Sequence, residues 1–179
     1  MSNDSKFLAR VLRHEPGLID IELDRHGWVA IDDLLRRLQK AGRGLSRIEL
    51  IEIVETNDKK RFTISEDGRR IRAAQGHSID VDLGLPAVTP PPTLYHGTAS
   101  QSLDTIFESG LNPGRRHQVH LSPDPETARR VGARHGKPVV LRIDAAKMHA
   151  DGRIFFRSEN GVWLTEIVPA AYLGFGVMQ

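Results

Sequence analysis

Apolar positions in the first third of the chain recur at helical spacing. From about Lys6 to His14, Phe7, Leu8, Val11 and Leu12 fall on one helical face, and Pro16 pushes Glu15 out of the helical region. At about 100° per residue, Arg13 points away from that face and His14 lies at its border. After "GWVAIDD", Ile31, Leu34, Leu35 and Leu38 repeat at i, i+3, i+4 and i+7, and Gly42 supplies a stop. The stretch "SRIE" predicts the start of a third helix, with Ser46 and Glu49 forming a capping box ahead of Leu50, Ile51 and Val54. Beyond it, "KRFTIS", a turn at "EDG" and "RRIRAA" predict two short strands.

Three helices followed by a hairpin is the order of a winged helix, and residues 1–80 are expected to form such a lobe. Between "DVDLGLPAV" and "TPPPT" the periodic pattern dissolves, and Pro90, Pro91 and Pro92 predict a stiff connector within residues 81–93. Residues 94–179 alternate differently. "TLYHGT", "QVHLS", "PVVLRID", "IFFRS", "VWLTE" and "YLGFGVM" predict strands, with helices around "SLDTIFESG" and "DPETARRVGARHG". Many short strands with few helices argue for an α+β domain with a mixed or antiparallel sheet, because βαβ units would place a helix after every strand.

Composition narrows the partners. Lys and Arg number 25 against 23 Asp and Glu, so the formal charge is +2 and any nucleic-acid surface must be local. Three basic clusters could provide one: "KKR" at Lys59 to Arg61, "RRIR" at Arg69 to Arg72 and "GRR" at Gly114 to Arg116. The absence of cysteine removes disulfides, thiolate nucleophiles and thiolate zinc sites, and fits a reducing compartment. The opening "MSNDSKF" lacks the apolar core of a signal peptide and no apolar run approaches membrane-spanning length, so a cytoplasmic protein without a membrane partner is expected. Balanced charge and the lack of a heptad make a monomer the default expectation.

Chemistry is most legible in two strands. In "LYHGT", His96 and Thr98 share one face while Gly97 allows another group close to the backbone, the makings of a ligand seat. In "VHLS", His120 and Ser122 likewise share a face, opposite Val119 and Leu121. His117 and His120 in "HQVH" would lie on opposite faces of a strand and no "HExxH" occurs, so no metal site is expected. Neither "GxSxG", "GxxxxGK" nor a dinucleotide-type glycine fingerprint is present, which removes the ordinary hydrolase and kinase readings. What remains is arginine in loops and turns, namely Arg13, Arg61, Arg115 and Arg116, and the forked, permanently charged guanidinium suits phosphate oxygens.

Taken together and in order, "LRHEP", "GWV", "KKRFTIS", "IRAAQGHS", "LYHGT", "VHLS", "RHGKP", "FFRSENGVWLT" and "YLGF" resemble the RNA 2'-phosphotransferases, the family containing the tRNA-splicing 2'-phosphotransferase. The likeness runs from about Lys6 to Phe175. It implies an N-terminal winged-helix lobe for RNA and a C-terminal ADP-ribosyltransferase lobe for NAD⁺ as co-substrate, with no metal. It further implies a transferase acting in RNA processing and repair on tRNA-like RNA that carries an internal 2'-phosphate. In the implied reaction the phosphate displaces nicotinamide at C1'', giving an RNA 2'-phospho-ADP-ribosyl intermediate. The ribose O2'' then attacks phosphorus, leaving an RNA 2'-hydroxyl and ADP-ribose 1'',2''-cyclic phosphate.

The resemblance carries the family's essential Arg, His, Arg, Arg set onto Arg13, His14, Arg61 and Arg116, with Arg115 adjacent to the last. It carries the NAD-binding signature onto His96, Gly97 and Thr98, onto His120 with Ser122, and onto Val162, where many protein-modifying relatives have glutamate. A glutamate there commonly holds the ribose 2''-hydroxyl, and valine leaves that hydroxyl available as the second nucleophile. His14 has two roles open to it, phosphate binder as imidazolium or base for the O2'' proton. Two rivals remain: an ADP-ribosyltransferase that leaves a stable adduct on nucleic acid or protein, and a non-catalytic winged-helix regulator that senses NAD⁺ or RNA.

Overall fold

The first helix, α1, spans Asn3–Arg13, buries Leu8, Val11 and Leu12, and stops before Pro16, which opens a single 3-10 turn, Pro16–Ile19. In this computed structural model, which describes residues 3–57 and 59–176, the chain divides into two compact units, Met1–Gly84 and Leu85–Gln179. The fold is α+β, and each unit has its own apolar core.

In the first unit, β1 (Val29–Ala30) leads directly into α2 (Ile31–Lys40), whose Ile31, Leu34 and Leu38 are buried. Helix α3 (Arg47–Glu55) begins with the expected box. The Ser46 hydroxyl accepts the Glu49 N–H at 3.2 Å, and the Glu49 carboxylate accepts the Ser46 N–H at 2.8 Å. Those bonds to Ser46 hold the Glu49 carboxyl below its usual range. Strands β2 (Phe62–Ile64) and β3 (Arg70–Ala73) form the expected hairpin, and β1 joins it to give an antiparallel sheet of order β1-β3-β2. Ile71 stands opposite both Val29 and Ile64, so the inner face of this sheet continues the helical core. The chain then runs back across the unit: Ser78 donates its N–H to the Arg13 carbonyl at 2.9 Å and Asp82 to that of Arg25 at 2.9 Å.

The second unit holds two three-stranded antiparallel sheets. One has the order β4-β6-β9, from β4 (Thr93–Ala99), β6 (Pro138–Asp144) and β9 (Leu173–Phe175). The other has the order β5-β8-β7, from β5 (Val119–Leu121), β7 (Phe156–Arg157) and β8 (Trp163–Thr165). Helices α4 (Leu103–Ser109), α5 (Pro125–Gly132) and α6 (Ala145–Ala150) complete it. Leu94, Leu121, Leu141, Ile143, Met148 and Phe155 are among the side chains fully buried between these elements. Residues 85–92, expected as a connector, are fastened along this unit: Ala87 bridges to Phe156, Val88 donates to the Phe155 carbonyl at 2.9 Å, and Pro92 accepts from Ala146 at 3.1 Å. Helix α5 ends at Gly132, short of the full "DPETARRVGARHG" run, and β1 and α6 are additions to the elements read from periodicity.

Candidate active site

Arg13, His14 and Arg61 all lie in the first unit, where the Arg13 side chain reaches the Arg61 main chain. Arg13 is the last residue of α1 and His14 the first beyond it, its N–H still bonded to the Arg10 carbonyl at 2.9 Å. Arg10 grips Glu15 with two bonds, Nε to Oε1 at 3.0 Å and Nη2 to Oε2 at 2.6 Å, so the carboxylate next to His14 is engaged elsewhere and titrates below its usual range. The half-buried Arg13 side chain reaches the main chain of Arg61, Nη2 donating to its carbonyl at 3.4 Å. That carbonyl also takes the Ala74 N–H at 2.8 Å, extending the β2–β3 ladder by one pair and fixing where Arg61 leaves the sheet. Arg61 Nη1 donates to the Asn57 amide oxygen at 2.9 Å, and the buried Asn57 is anchored in turn on the Ser5 hydroxyl at 2.9 Å. The Arg13 side chain and the Arg61 main chain thus share one hydrogen-bonded corner, built from α1, the α3–β2 turn and the start of the hairpin, with His14 next to Arg13 in the chain. An anion with several oxygens is the ligand such a corner suits.

In the second unit, β4 and β5 approach and then part. Tyr95 and Ser122 exchange both main-chain bonds, at 2.9 and 2.7 Å, and the next such pair in register would be Gly97 with His120. That pair does not form a bridge; instead the His120 carbonyl takes the Nδ1–H of His96 at 3.0 Å. Ser100 donates to the Lys137 carbonyl at 3.0 Å, which sets the phase of the β4–β6 ladder and turns the N–H and C=O of Gly97 away from β6, into the gap where β4 and β5 separate. Ser122 and Val162 each adjoin the last pair of the β5–β8 ladder, Leu121 with Trp163.

Both imidazoles present the same polarity. The Nδ1 atoms of His96 and His120 face carbonyl oxygens, those of His120 and Gln118, each at 3.0 Å. A carbonyl only accepts, so both Nδ1 atoms carry the proton and the neutral rings have Nε2 as acceptor. Burial lowers the pKa of His96, and the positive charges of Arg116 and His135 lower it further, against the bond to His120, so the ring is neutral near pH 7. Thr98 is buried in the same strand.

Gly97 has a structural cause as well. A Cβ there would lie 1.7 Å from the Ala128 carbonyl oxygen, and one on Gly132 would lie 2.7 Å from that of Thr98. The close approach expected at Gly97 is thus made by the backbone of α5 on one side of the strand. Sequence reasoning passed over Asn57, Ser78, Gly132 and His135. A glycine inside the helical "ETARRVGAR" pattern signals such a contact for Gly132, whereas Asn57 and Ser78 carry no spacing that predicts their long-range partners.

Among the described residues, no group of three or more His, Asp or Glu side chains is placed to hold a metal ion, and no helix is long and apolar enough to cross a membrane. A family model described as "RNA 2'-phosphotransferase, Tpt1 / KptA family" matches residues 2–167. The chain is 57% identical over 169 residues to a probable RNA 2'-phosphotransferase of Agrobacterium fabrum, covering 94% of this chain and 91% of that one. It is 56% identical over 171 residues to a protein of the same description from Streptomyces coelicolor, with 96% and 93% covered. A third, from Hahella chejuensis, is 54% identical over 173 residues, with 97% and 93% covered.

Proposed function

Because the chain belongs to the RNA 2'-phosphotransferase, Tpt1 / KptA family, we propose that it removes an internal 2'-phosphate from RNA at the expense of NAD⁺. The RNA phosphate oxygen attacks C1'' of the nicotinamide ribose and expels nicotinamide. Attack of O2'' on phosphorus then breaks the bond to the RNA 2'-oxygen, giving RNA with a 2'-hydroxyl and ADP-ribose 1'',2''-cyclic phosphate. In this reading the first unit is a winged helix that holds the RNA 2'-phosphate, and the second is an ADP-ribosyltransferase-like domain that holds the dinucleotide.

The observation that carries the reading is the corner formed by Arg13, His14 and Arg61. A phosphate dianion needs orientation and partial neutralisation before it attacks, and charge gathers on the equatorial oxygens of phosphorus in the second step. Guanidiniums answer both needs without a metal. The resemblance puts Arg116 as the fourth member of the set, with Arg115 beside it in the chain. The second unit fits a dinucleotide: Nε2 of His96 and of His120 are acceptors for ribose hydroxyls, and the N–H and C=O of Gly97 at the strand gap complement a planar carboxamide. Thr98 and Ser122 add hydroxyls beside them. Val162 offers no carboxylate to hold the 2''-hydroxyl, which favours a second attack over a lasting adduct.

The test is incubation of the protein with NAD⁺, EDTA and a short RNA bearing one internal 2'-phosphate, with products separated chromatographically. Dephosphorylated RNA and the cyclic ADP-ribose product are expected. Accumulation of an ADP-ribosylated RNA with no cyclic product would assign the chain to adduct formation, and binding without turnover would make it a sensor.

A further inference from the structure

The run of chain between β3 and the end of the first unit carries a residue that the reaction above leaves unused. Ser78 touches both members of the pair at the end of α1. Its N–H donates to the Arg13 carbonyl at 2.9 Å, and its hydroxyl oxygen lies 2.8 Å from Nδ1 of His14. The segment is fastened again further along, by the Asp82 N–H on the Arg25 carbonyl and by Arg72 Nη1 on the Leu83 carbonyl at 3.2 Å, so the hydroxyl is presented from anchored backbone. Helix α1 fixes the His14 main chain, and Ser78 meets the ring at Nδ1.

We propose that Ser78 is a positioning residue whose hydroxyl oxygen accepts the Nδ1–H of His14, fixing the ring and making Nε2 the nitrogen that meets the substrate. A hydroxyl can also donate, but only one direction survives a change of charge. With Nδ1–H as donor the bond is the same in the neutral ring and in the imidazolium, so a proton can join or leave Nε2 without disturbing the ring. Were the hydroxyl to donate, protonating the ring would break the contact. What His14 contributes to turnover rests on the RNA 2'-phosphotransferase reading, whereas its contact with Ser78 does not.

Nitrogen-15 spectroscopy of histidine-labelled full-length protein, with His14 assigned by the loss of its signals in His14→Asn, reads the tautomer directly. Wild type is expected to show His14 protonated at Nδ1. Ser78→Ala keeps the main-chain bond to Arg13 and removes an exposed hydroxyl, so it is expected to keep its melting temperature and to shift His14 toward the other tautomer. It should lower kcat about fivefold, the worth of one hydrogen bond, with KM for RNA and NAD⁺ unchanged, and Ser78→Thr should restore both tautomer and rate. A wild-type His14 protonated at Nε2, or a Ser78→Ala protein with unaltered tautomer and kcat, would overturn the proposal in an active enzyme. A protein inactive on 2'-phosphorylated RNA overturns the functional reading instead, and the spectrum still decides the hydrogen bond.

Discussion

At the scale of single residues, Arg61 has the most to lose from replacement. Its guanidinium is aimed by Asn57, which is itself buried on Ser5, so the charge is held before any substrate arrives. Arg61→Ala is expected to lower kcat about a hundredfold to a thousandfold, the usual effect of deleting one preorganised electrostatic donor, measured by steady-state release of the cyclic product. Arg61→Lys restores the charge but not the fork and should recover little of the loss. His96 makes a prediction about pH. Its folded-state pKa lies below the ordinary value of 6.5, so the unfolded chain takes up a proton more readily than the native one. The stability it contributes is present above pH 6.5 and drains away as pH falls from there toward the folded-state pKa. Thermal unfolding between about pH 7.5 and pH 5.5 should show the second unit weakening on the acid side, and His96→Asn should flatten that slope.

Elements respond to larger insults. Gly97 and Gly132 let α5 lie with its backbone directly on β4, and the methyl of Gly97→Ala would sit inside the Ala128 carbonyl. The helix must move away, and a loss of about 3 kcal/mol or more in chemical denaturation is expected, at the upper end of overpacking costs. Ser46→Ala, by contrast, removes only the start of α3, and about 1 kcal/mol should go with it while kcat stays unchanged. The contrast between these two sites also marks what the sequence makes legible. The Ser46 box, the stop of α1 ahead of Pro16 and the "EDG" hairpin rest on local chemistry, and each stands where local chemistry puts it. Strand β1 has two residues and α6 has six, too few to display a period; they exist because β3 and the core of the second unit give them partners. The pairing of His96 with the carbonyl of His120 was half legible: alternation placed each ring on its face, but nothing in the spacing says that two strands will meet at Tyr95 and then separate.

On the scale of the whole chain, the candidate residues fall into two groups, Arg13, His14 and Arg61 in the first unit and His96 and His120 in the second. The bonds from Arg13 to Arg61, Arg61 to Asn57 and His14 to Ser78 lie within the first unit, and those from His96 and His120 to main-chain carbonyls lie within the second. Leu8, Leu12, Leu34, Leu38, Leu50 and Ile71 close one core and Leu94, Leu121, Leu141 and Ile143 the other, with no need for a shared apolar layer. The motifs that carry the resemblance likewise come as two blocks, "LRHEP" to "IRAAQGHS" and "LYHGT" to "YLGF".

Because the first unit closes an apolar core of its own, it is expected to act as a portable anion receptor. A gene truncated after the codon for Gly84 should yield a fragment that folds by itself, with a helical circular dichroism spectrum and a cooperative melt, since a core of this kind is enough for a chain of that size. Titrating that fragment with a nucleoside 2'-monophosphate should move the amide resonances of Arg13, His14 and Arg61 while NAD⁺ leaves them still. The recognition of a phosphorylated ribose would then be a property that can be lifted out and grafted, separate from the chemistry that consumes it.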